Sequence, residues 1–183
     1  GSAAIGHNRY STTGRPELRN IQPLFADLAF GGLSIAHNGN LTNAVGLRTK
    51  LVQRGCIFRS TSDTEVIIHL MALSRGEDVT DRLVDALRQI EGAYSLVAMT
   101  QDTLIGVRDP HGVRPLVLGS LDGAYILASE TVALDIIGAK RERDIERGEM
   151  VVIRGGELTS FKPFHVAAER FCIFEFIYFA RPD

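Results

Sequence analysis

The sequence predicts an α+β layered sandwich rather than an alternating parallel α/β fold. Helix signals gather in the first half of the chain, strand signals stand before and after them, and no strand–helix–strand unit repeats. With 183 residues, 45% of them hydrophobic and 23% charged, the chain holds material for one soluble domain with a substantial core.

The elements follow in order. Ala3 to His7 reads as a strand already under way, and Arg9-Tyr10-Ser11-Thr12-Thr13-Gly14-Arg15-Pro16 is polar and turn-rich enough to be a surface loop. Phe30 to His37 alternates, with Leu33 and Ile35 on one face, and ends in His37-Asn38-Gly39-Asn40, whose Asn-Gly is a turn signal. Leu41 to Arg54 carries Leu41, Val45, Leu47 and Leu51 near helical spacing and is closed by Gly55. Ser62-Asp63-Thr64-Glu65 reads as a capping box for a helix running through Val66 to Leu73. A further helix, opened by Asp78 or Thr80, turns Leu83, Val84, Leu87 and Ile90 to the core. Ala93 to Thr100, Thr103 to Arg108, Leu116 to Leu118 and Tyr125 to Ala128 read as short strands, with turns at Gln101-Asp102 and Asp122-Gly123. A short helix over Val132 to Ile137 precedes a hairpin from Met150 to Phe161 that turns at Gly155-Gly156.

A net charge of −2 and scattered Lys and Arg provide no field for a polyanion, which argues against nucleic acid as a partner. No apolar run approaches the roughly 18 residues that span a bilayer, and no signal peptide opens the chain, so the cytoplasm is the expected compartment. Cys56 and Cys172 are too few for a disulfide framework, and reduced thiols are expected. Both ends read as cut: the chain enters a strand at once, and it stops after the apolar run Phe174-Glu175-Phe176-Ile177-Tyr178-Phe179.

Several residues carry chemistry. In His37-Asn38-Gly39-Asn40, the Asn38 amide beside the Gly39 N–H offers two donors for an oxyanion, as acyl transfer needs; taken alone, the same tetrapeptide is more often an ordinary hairpin turn. Arg9 has the planar fork that grips a carboxylate, and Thr12 could add a hydroxyl, although a loop Arg is commonly just solvated. Asp63, at a helix start, either meets a substrate ammonium or answers the helix dipole. Together these are the groups that a free amino-acid amide such as glutamine requires. Arg108-Asp109-Pro110-His111-Gly112-Val113-Arg114-Pro115 is read as a structural turn held by Arg–Asp pairing. His7, His37, His69 and His165 have no visible carboxylate or Cys partner at ligand spacing, and Cys56 reads as a small buried hydrophobe. Neither Cys sits in a motif that supplies an activated nucleophile.

Seven motifs, in chain order, carry a family resemblance: Gly6-His7-Asn8-Arg9-Tyr10-Ser11-Thr12, Asn20-Ile21-Gln22-Pro23, His37-Asn38-Gly39-Asn40-Leu41, Ser62-Asp63-Thr64-Glu65, Gly92-Ala93-Tyr94-Ser95, the run from Arg108 to Leu116, and Tyr178-Phe179-Ala180-Arg181-Pro182-Asp183. They resemble the amidophosphoribosyltransferase family of class II glutamine amidotransferases. The first, third and fourth are shared more loosely across the class; the last two are particular to the purine enzymes.

The resemblance implies a four-layer αββα sandwich of the N-terminal-nucleophile hydrolase type, incomplete at its N-terminus. Residues 1–175 would be a partial amidotransferase domain, and 176–183 the start of a junction to an absent phosphoribosyltransferase domain. A cysteine at the mature N-terminus would attack glutamine, and the ammonia released would convert phosphoribosylpyrophosphate to 5-phosphoribosylamine. Asn38 and Gly39 would then form the oxyanion hole, Arg9 would clamp the substrate carboxylate with help from Thr12, and Asp63 would hold its α-amino group. The stretch from Arg9 to Arg19 resembles the family's glutamine loop.

Cys172 resembles a ligand of the [4Fe–4S] cluster found in some members. The cofactors implied are none for this chain, with Mg2+ in the whole enzyme and such a cluster only if the parent is one of the members that carry it; the whole enzyme would be a homo-oligomer. No Cys stands at position 1, and the strands that the family places before Ala3 are missing, so the chain alone is expected to be inactive. Another class II amidotransferase and a non-catalytic glutamine-binding module are the alternative readings.

Overall fold

Strand side chains alternate between two faces, and in this chain both faces of several strands are apolar, so each sheet must be covered twice. The computed structural model describes residues 3–8, 17–164, 167, 168 and 170. Six strands form one antiparallel sheet in the order β1-β2-β3-β4-β8-β9: β1 (Leu24–Leu28), β2 (Gly31–Leu41), β3 (Gly92–Met99), β4 (Thr103–Arg108), β8 (Met150–Arg154) and β9 (Glu157–Phe161). Three more, β5 (Val117–Leu121), β6 (Ala124–Ala128) and β7 (Lys140–Asp144), form a second sheet in the order β6-β5-β7.

The four layers follow from the alternation. On β8, Met150 and Val152 join Leu33, Ile35, Leu96, Ile105 and Val107 in the main core beneath α1 (Ala44–Gln53), α2 (Thr64–Leu73) and α3 (Val79–Leu87). Val151, between them, points the other way and meets Leu116, Leu118 and Ile145 in the space separating the sheets. On β5, Leu118 fills that inter-sheet core while Val117 packs with Leu134 of α4 (Thr131–Ile136) on the outer face. The result is the expected αββα sandwich. The sheets approach closely at Gly106, where a Cβ would stand 2.7 Å from a Leu127 methyl.

Most elements fall where the sequence places them, α3 most clearly: the Asp78 side chain accepts the Asp81 N–H at 2.9 Å, and Leu83, Val84 and Leu87 are buried. Five expectations are corrected. The segment 3–8 forms no strand, since no neighbouring strand among the described residues pairs with it. Asn38-Gly39 is no turn, because β2 runs on to Leu41 in register with β3. The helix read from Leu41 begins at Ala44, and Val45, expected to face the core, is 80% exposed.

The Ser62–Glu65 box is rearranged: the Ser62 hydroxyl accepts Thr64 N at 3.3 Å, but Glu65 reaches back past Ser62 to Arg59 and Ser60. The loop after β4 is not held by Arg–Asp pairing. Arg108 instead donates to the carbonyls of Arg114, Ile145 and Gly112, each at 2.9 Å, while the fully buried Asp109 accepts the N–H groups of His111 and Val113. Two strands escaped the sequence reading, β1 and β7, the latter being Lys-Arg-Glu-Arg-Asp at a sheet edge, where charge discourages further pairing.

Candidate functional site

The C-terminal end of β2 has the unusual property that its outward main-chain amides are answered by side chains. The β1–β2 ladder stops at Leu24↔Ile35, two residues short of His37. His37 N donates to the Gln22 side-chain oxygen at 2.7 Å, and the Gln22 amide donates back to the His37 carbonyl at 3.3 Å. Leu41 N donates to Asp63 Oδ2 at 2.9 Å.

Gly39 lies between the two. Across β3, Thr42 N donates to Glu91 O and the Tyr94 carbonyl is taken by Asp109 N, so the even-numbered residues of β2 bond to β3 and Gly39↔Tyr94 is a non-hydrogen-bonded pair. The Gly39 N–H therefore points to the same edge as those of His37 and Leu41, with no strand beyond it among the described residues. Only glycine fits there: φ is +146°, and a Cβ would stand 2.0 Å from the Ala93 carbonyl oxygen.

Alternation puts the Asn38 side chain on the inter-sheet face, beside its register partner Ser95, whose hydroxyl donates to Pro115 O at 2.8 Å. Among the described residues nothing hydrogen-bonds the Asn38 carboxamide, so this half-buried donor is available. His37 points the opposite way, 3% exposed against the start of α2, with Nδ1 3.3 Å from Thr64 Oγ1 and 3.8 Å from Asp63 Oδ1. Burial outweighs the opposing pull of the Asp63 carboxylate and holds the ring below the ordinary histidine pKa; His7 and Arg114 push the same way as burial. The ring is accordingly neutral at pH 7.

Asp63 owes its position to the loop before α2. Glu65 accepts Arg59 N at 2.7 Å, Ser60 N at 2.8 Å and the Ser60 hydroxyl at 2.6 Å. Burial alone would raise the Glu65 pKa, but the neighbouring His69 ring and the hydrogen bonds from these groups lower it to about 2. His69 stands 3.8 Å from Glu65 Oε1 and against the Phe58 ring. Two of the histidines read as partnerless thus have carboxylate neighbours.

The structure brings Asn38, Gly39 and Asp63 to one strand end. Arg9, Thr12, His165, Cys172 and the 176–183 junction lie outside the described residues. Gln22 and His37 were missed as contributors; a buried carboxamide beside a proline was the only signal for the first. Cys56 packs against the helical core rather than at the β2 edge. Among the described residues no group of three His, Cys, Asp or Glu is placed to hold a metal, and no helix is long and apolar enough to cross a membrane.

A four-layer sandwich with an amide and a glycine N–H unpaired, among the described residues, at a strand end is the frame of the N-terminal-nucleophile hydrolases. Residues 7–135 match the model of the glutamine amidotransferase domain. The chain belongs to that family. It is 55% identical to an amidophosphoribosyltransferase of Rhizobium etli, covering all of this chain and 38% of that protein, and 48% identical to a chloroplastic one of Arabidopsis thaliana, covering 33% of it. The structure superposes with a TM-score of 0.90 on the glutamine phosphoribosylpyrophosphate amidotransferase of B. subtilis, at 40% identity over 97% of this chain and 38% of that one. The chain thus spans 33% to 38% of the length of these relatives.

Proposed function

We propose that this domain is the glutaminase part of an amidophosphoribosyltransferase. It releases ammonia from glutamine, and a phosphoribosyltransferase domain of the longer protein uses that ammonia to turn phosphoribosylpyrophosphate into 5-phosphoribosylamine, the first committed step of purine synthesis. The observation that carries the reading is the β2 edge, where the Gly39 N–H stands between two amides already taken by Gln22 and Asp63. The names of the relatives supply the second half-reaction.

In this reading the nucleophile is the N-terminal cysteine of the longer protein. Its thiolate adds to the glutamine side-chain carbonyl carbon, and the negative charge that gathers on oxygen meets the Asn38 amide and the Gly39 N–H. The C–N bond then breaks, the nitrogen takes a proton and leaves as ammonia, and water cleaves the remaining thioester to glutamate. Asp63 holds the substrate ammonium, while Arg9 and Thr12 hold its carboxylate. Mg2+ and, in members that carry one, a [4Fe–4S] cluster with Cys172 among its ligands belong to the larger enzyme and enter no step here. That enzyme is proposed to be a cytoplasmic homo-oligomer without nucleic-acid or membrane partners.

Asp63→Asn in the full-length protein tests the substrate role. The carboxamide oxygen still accepts Leu41 N, so the fold is kept while the charge is lost. A hydrogen bond to a charged group contributes about 1.5–3 kcal/mol, so KM for glutamine should rise roughly 10- to 100-fold. A KM within about twofold of wild type would remove Asp63 from the substrate site.

A further inference from the structure

Two buried carboxamides outside the reacting groups hold the two pieces of chain that carry them. We propose that Gln22 and Asn20 are positioning residues for glutamine hydrolysis, Gln22 setting the oxyanion donors and Asn20 setting the carboxylate that meets the substrate ammonium; the inference rests on the glutaminase reading above.

Gln22 acts as the rung that β1 cannot provide. The β1–β2 ladder ends at Leu24↔Ile35, so no residue of β1 faces His37. The Gln22 side chain, 9% exposed, closes both main-chain groups of His37 in the pattern a neighbouring strand would use, accepting at 2.7 Å and donating at 3.3 Å. His37 directly precedes Asn38 and Gly39. Without this rung the open edge at the end of β2 would be held only at Leu41, by Asp63, and both oxyanion donors would gain freedom together.

Asn20, fully buried, does the same for the other piece. Its oxygen accepts Thr61 N at 2.8 Å and its nitrogen donates to the Thr61 hydroxyl at 2.8 Å. This fork bridges 41 residues of sequence. Thr61 stands two residues before Asp63 and next to Ser60, which Glu65 grips from the helix side. Asn20 therefore fixes one side of the Asp63 loop and Glu65 the other. The short stretch Asn20-Ile21-Gln22 registers the ammonium anchor against the oxyanion strand.

The two residues should leave different kinetic signatures. A loosened oxyanion pair costs turnover, since misplacement of about 1 Å can cost as much as roughly 100-fold, whereas a loosened Asp63 weakens substrate binding. A purely structural role would lower the number of competent sites and leave kcat and KM per site alone.

The test is steady-state glutamine hydrolysis by the full-length protein, with active sites counted by titration with an electrophilic glutamine analogue and melting followed in parallel. Gln22→Ala is expected to lower kcat per titrated site by about tenfold or more with KM within about twofold. Asn20→Ala is expected to raise KM about fivefold or more with kcat within about twofold, and Asn20→Asp to restore KM, because a carboxylate accepts both Thr61 N and the Thr61 hydroxyl. Gln22→Glu is expected to lower kcat too, since it keeps the acceptor but sets a carboxylate oxygen against the His37 carbonyl. Should the alanine variants not fold, Gln22→Glu and Thr61→Val carry the same test, the latter through KM.

Unchanged kcat and KM per titrated site in the Gln22 and Asn20 variants, or both residues moving the same constant, overturns the proposal. If wild type hydrolyses glutamine and Asn38→Ala abolishes it, that result strikes the positioning roles alone. A wild-type enzyme that does not hydrolyse glutamine overturns the glutaminase reading and this one together.

Discussion

Replacing Gly39 by alanine should disturb both the fold and the chemistry, and by an amount the coordinates set. The new Cβ would lie 2.0 Å from the Ala93 carbonyl oxygen, 2.8 Å from the Ala93 carbonyl carbon and 2.9 Å from Tyr94 Cα. Ordinary contact begins near 3.4 Å, so β2 and β3 must part locally by about 1.4 Å. All three atoms are backbone, and no side chain can swing away to make room. Overpacking of this kind costs about 1–3 kcal/mol, and a side chain held at φ +146° adds about 1–3 kcal/mol more. Since 1 kcal/mol moves Tm by roughly 2–4 °C in a cooperative unit of this size, Gly39→Ala should melt roughly 4–24 °C below wild type and lose most glutamine hydrolysis.

Gly46→Ala is the control. Gly46 lies exposed in α1 with nothing within 4 Å of its prospective Cβ, so alanine should stabilise by about 0.5–1 kcal/mol and leave hydrolysis unchanged. Calorimetry and a glutaminase assay on the full-length protein read both. A Gly39→Ala protein that melts within about 1 °C of wild type and still hydrolyses glutamine would refute the packing and the oxyanion assignment at once.

Two further outcomes follow from the loops around the site. Glu65→Gln leaves at least one of the Arg59 and Ser60 donors unanswered and should cost about 2 kcal/mol at neutral pH, read by urea denaturation. The Glu65 pKa is depressed in the fold, from 4.5 to about 2, so its contribution is complete above pH 4.5 and is lost as pH falls toward 2. The difference between wild type and Glu65→Gln should narrow across that window; a constant difference would mean that the carboxylate charge is not the cause. Arg108→Lys should cost about 2–3 kcal/mol, because an ammonium cannot reach the three carbonyls that the guanidinium spans, and a Tm unchanged within about 2 °C would show the loop to be held otherwise.

The order of elements and the candidate site residues were legible wherever information is local. Asn38-Gly39 and Asp63 could be proposed because short motifs specify donors and a helix start, and α3 because its apolar period and Asp78 cap agree. The turn reading of Asn-Gly failed for a tertiary reason: β3 arrives from more than fifty residues away and extends the strand through the glycine. β7 was invisible because five charged residues show no apolar face, and β1 because Phe25, at 65% exposure, masks the inward set Leu24, Ala26 and Leu28. Gln22 and Asn20 could not be read as holders of the site, since their partners lie 15 and 41 residues away.

The central claim is that Asn38 and Gly39 receive the charge that develops on the glutamine amide oxygen. Its most direct measurement is kcat for glutamine hydrolysis by the full-length protein carrying Asn38→Ala. Among the described residues the Asn38 carboxamide has no hydrogen-bond partner to lose, so folding and KM should hold while kcat falls by about 100- to 1,000-fold. A kcat equal to wild type would contradict the account and leave the β2 edge as strand architecture alone.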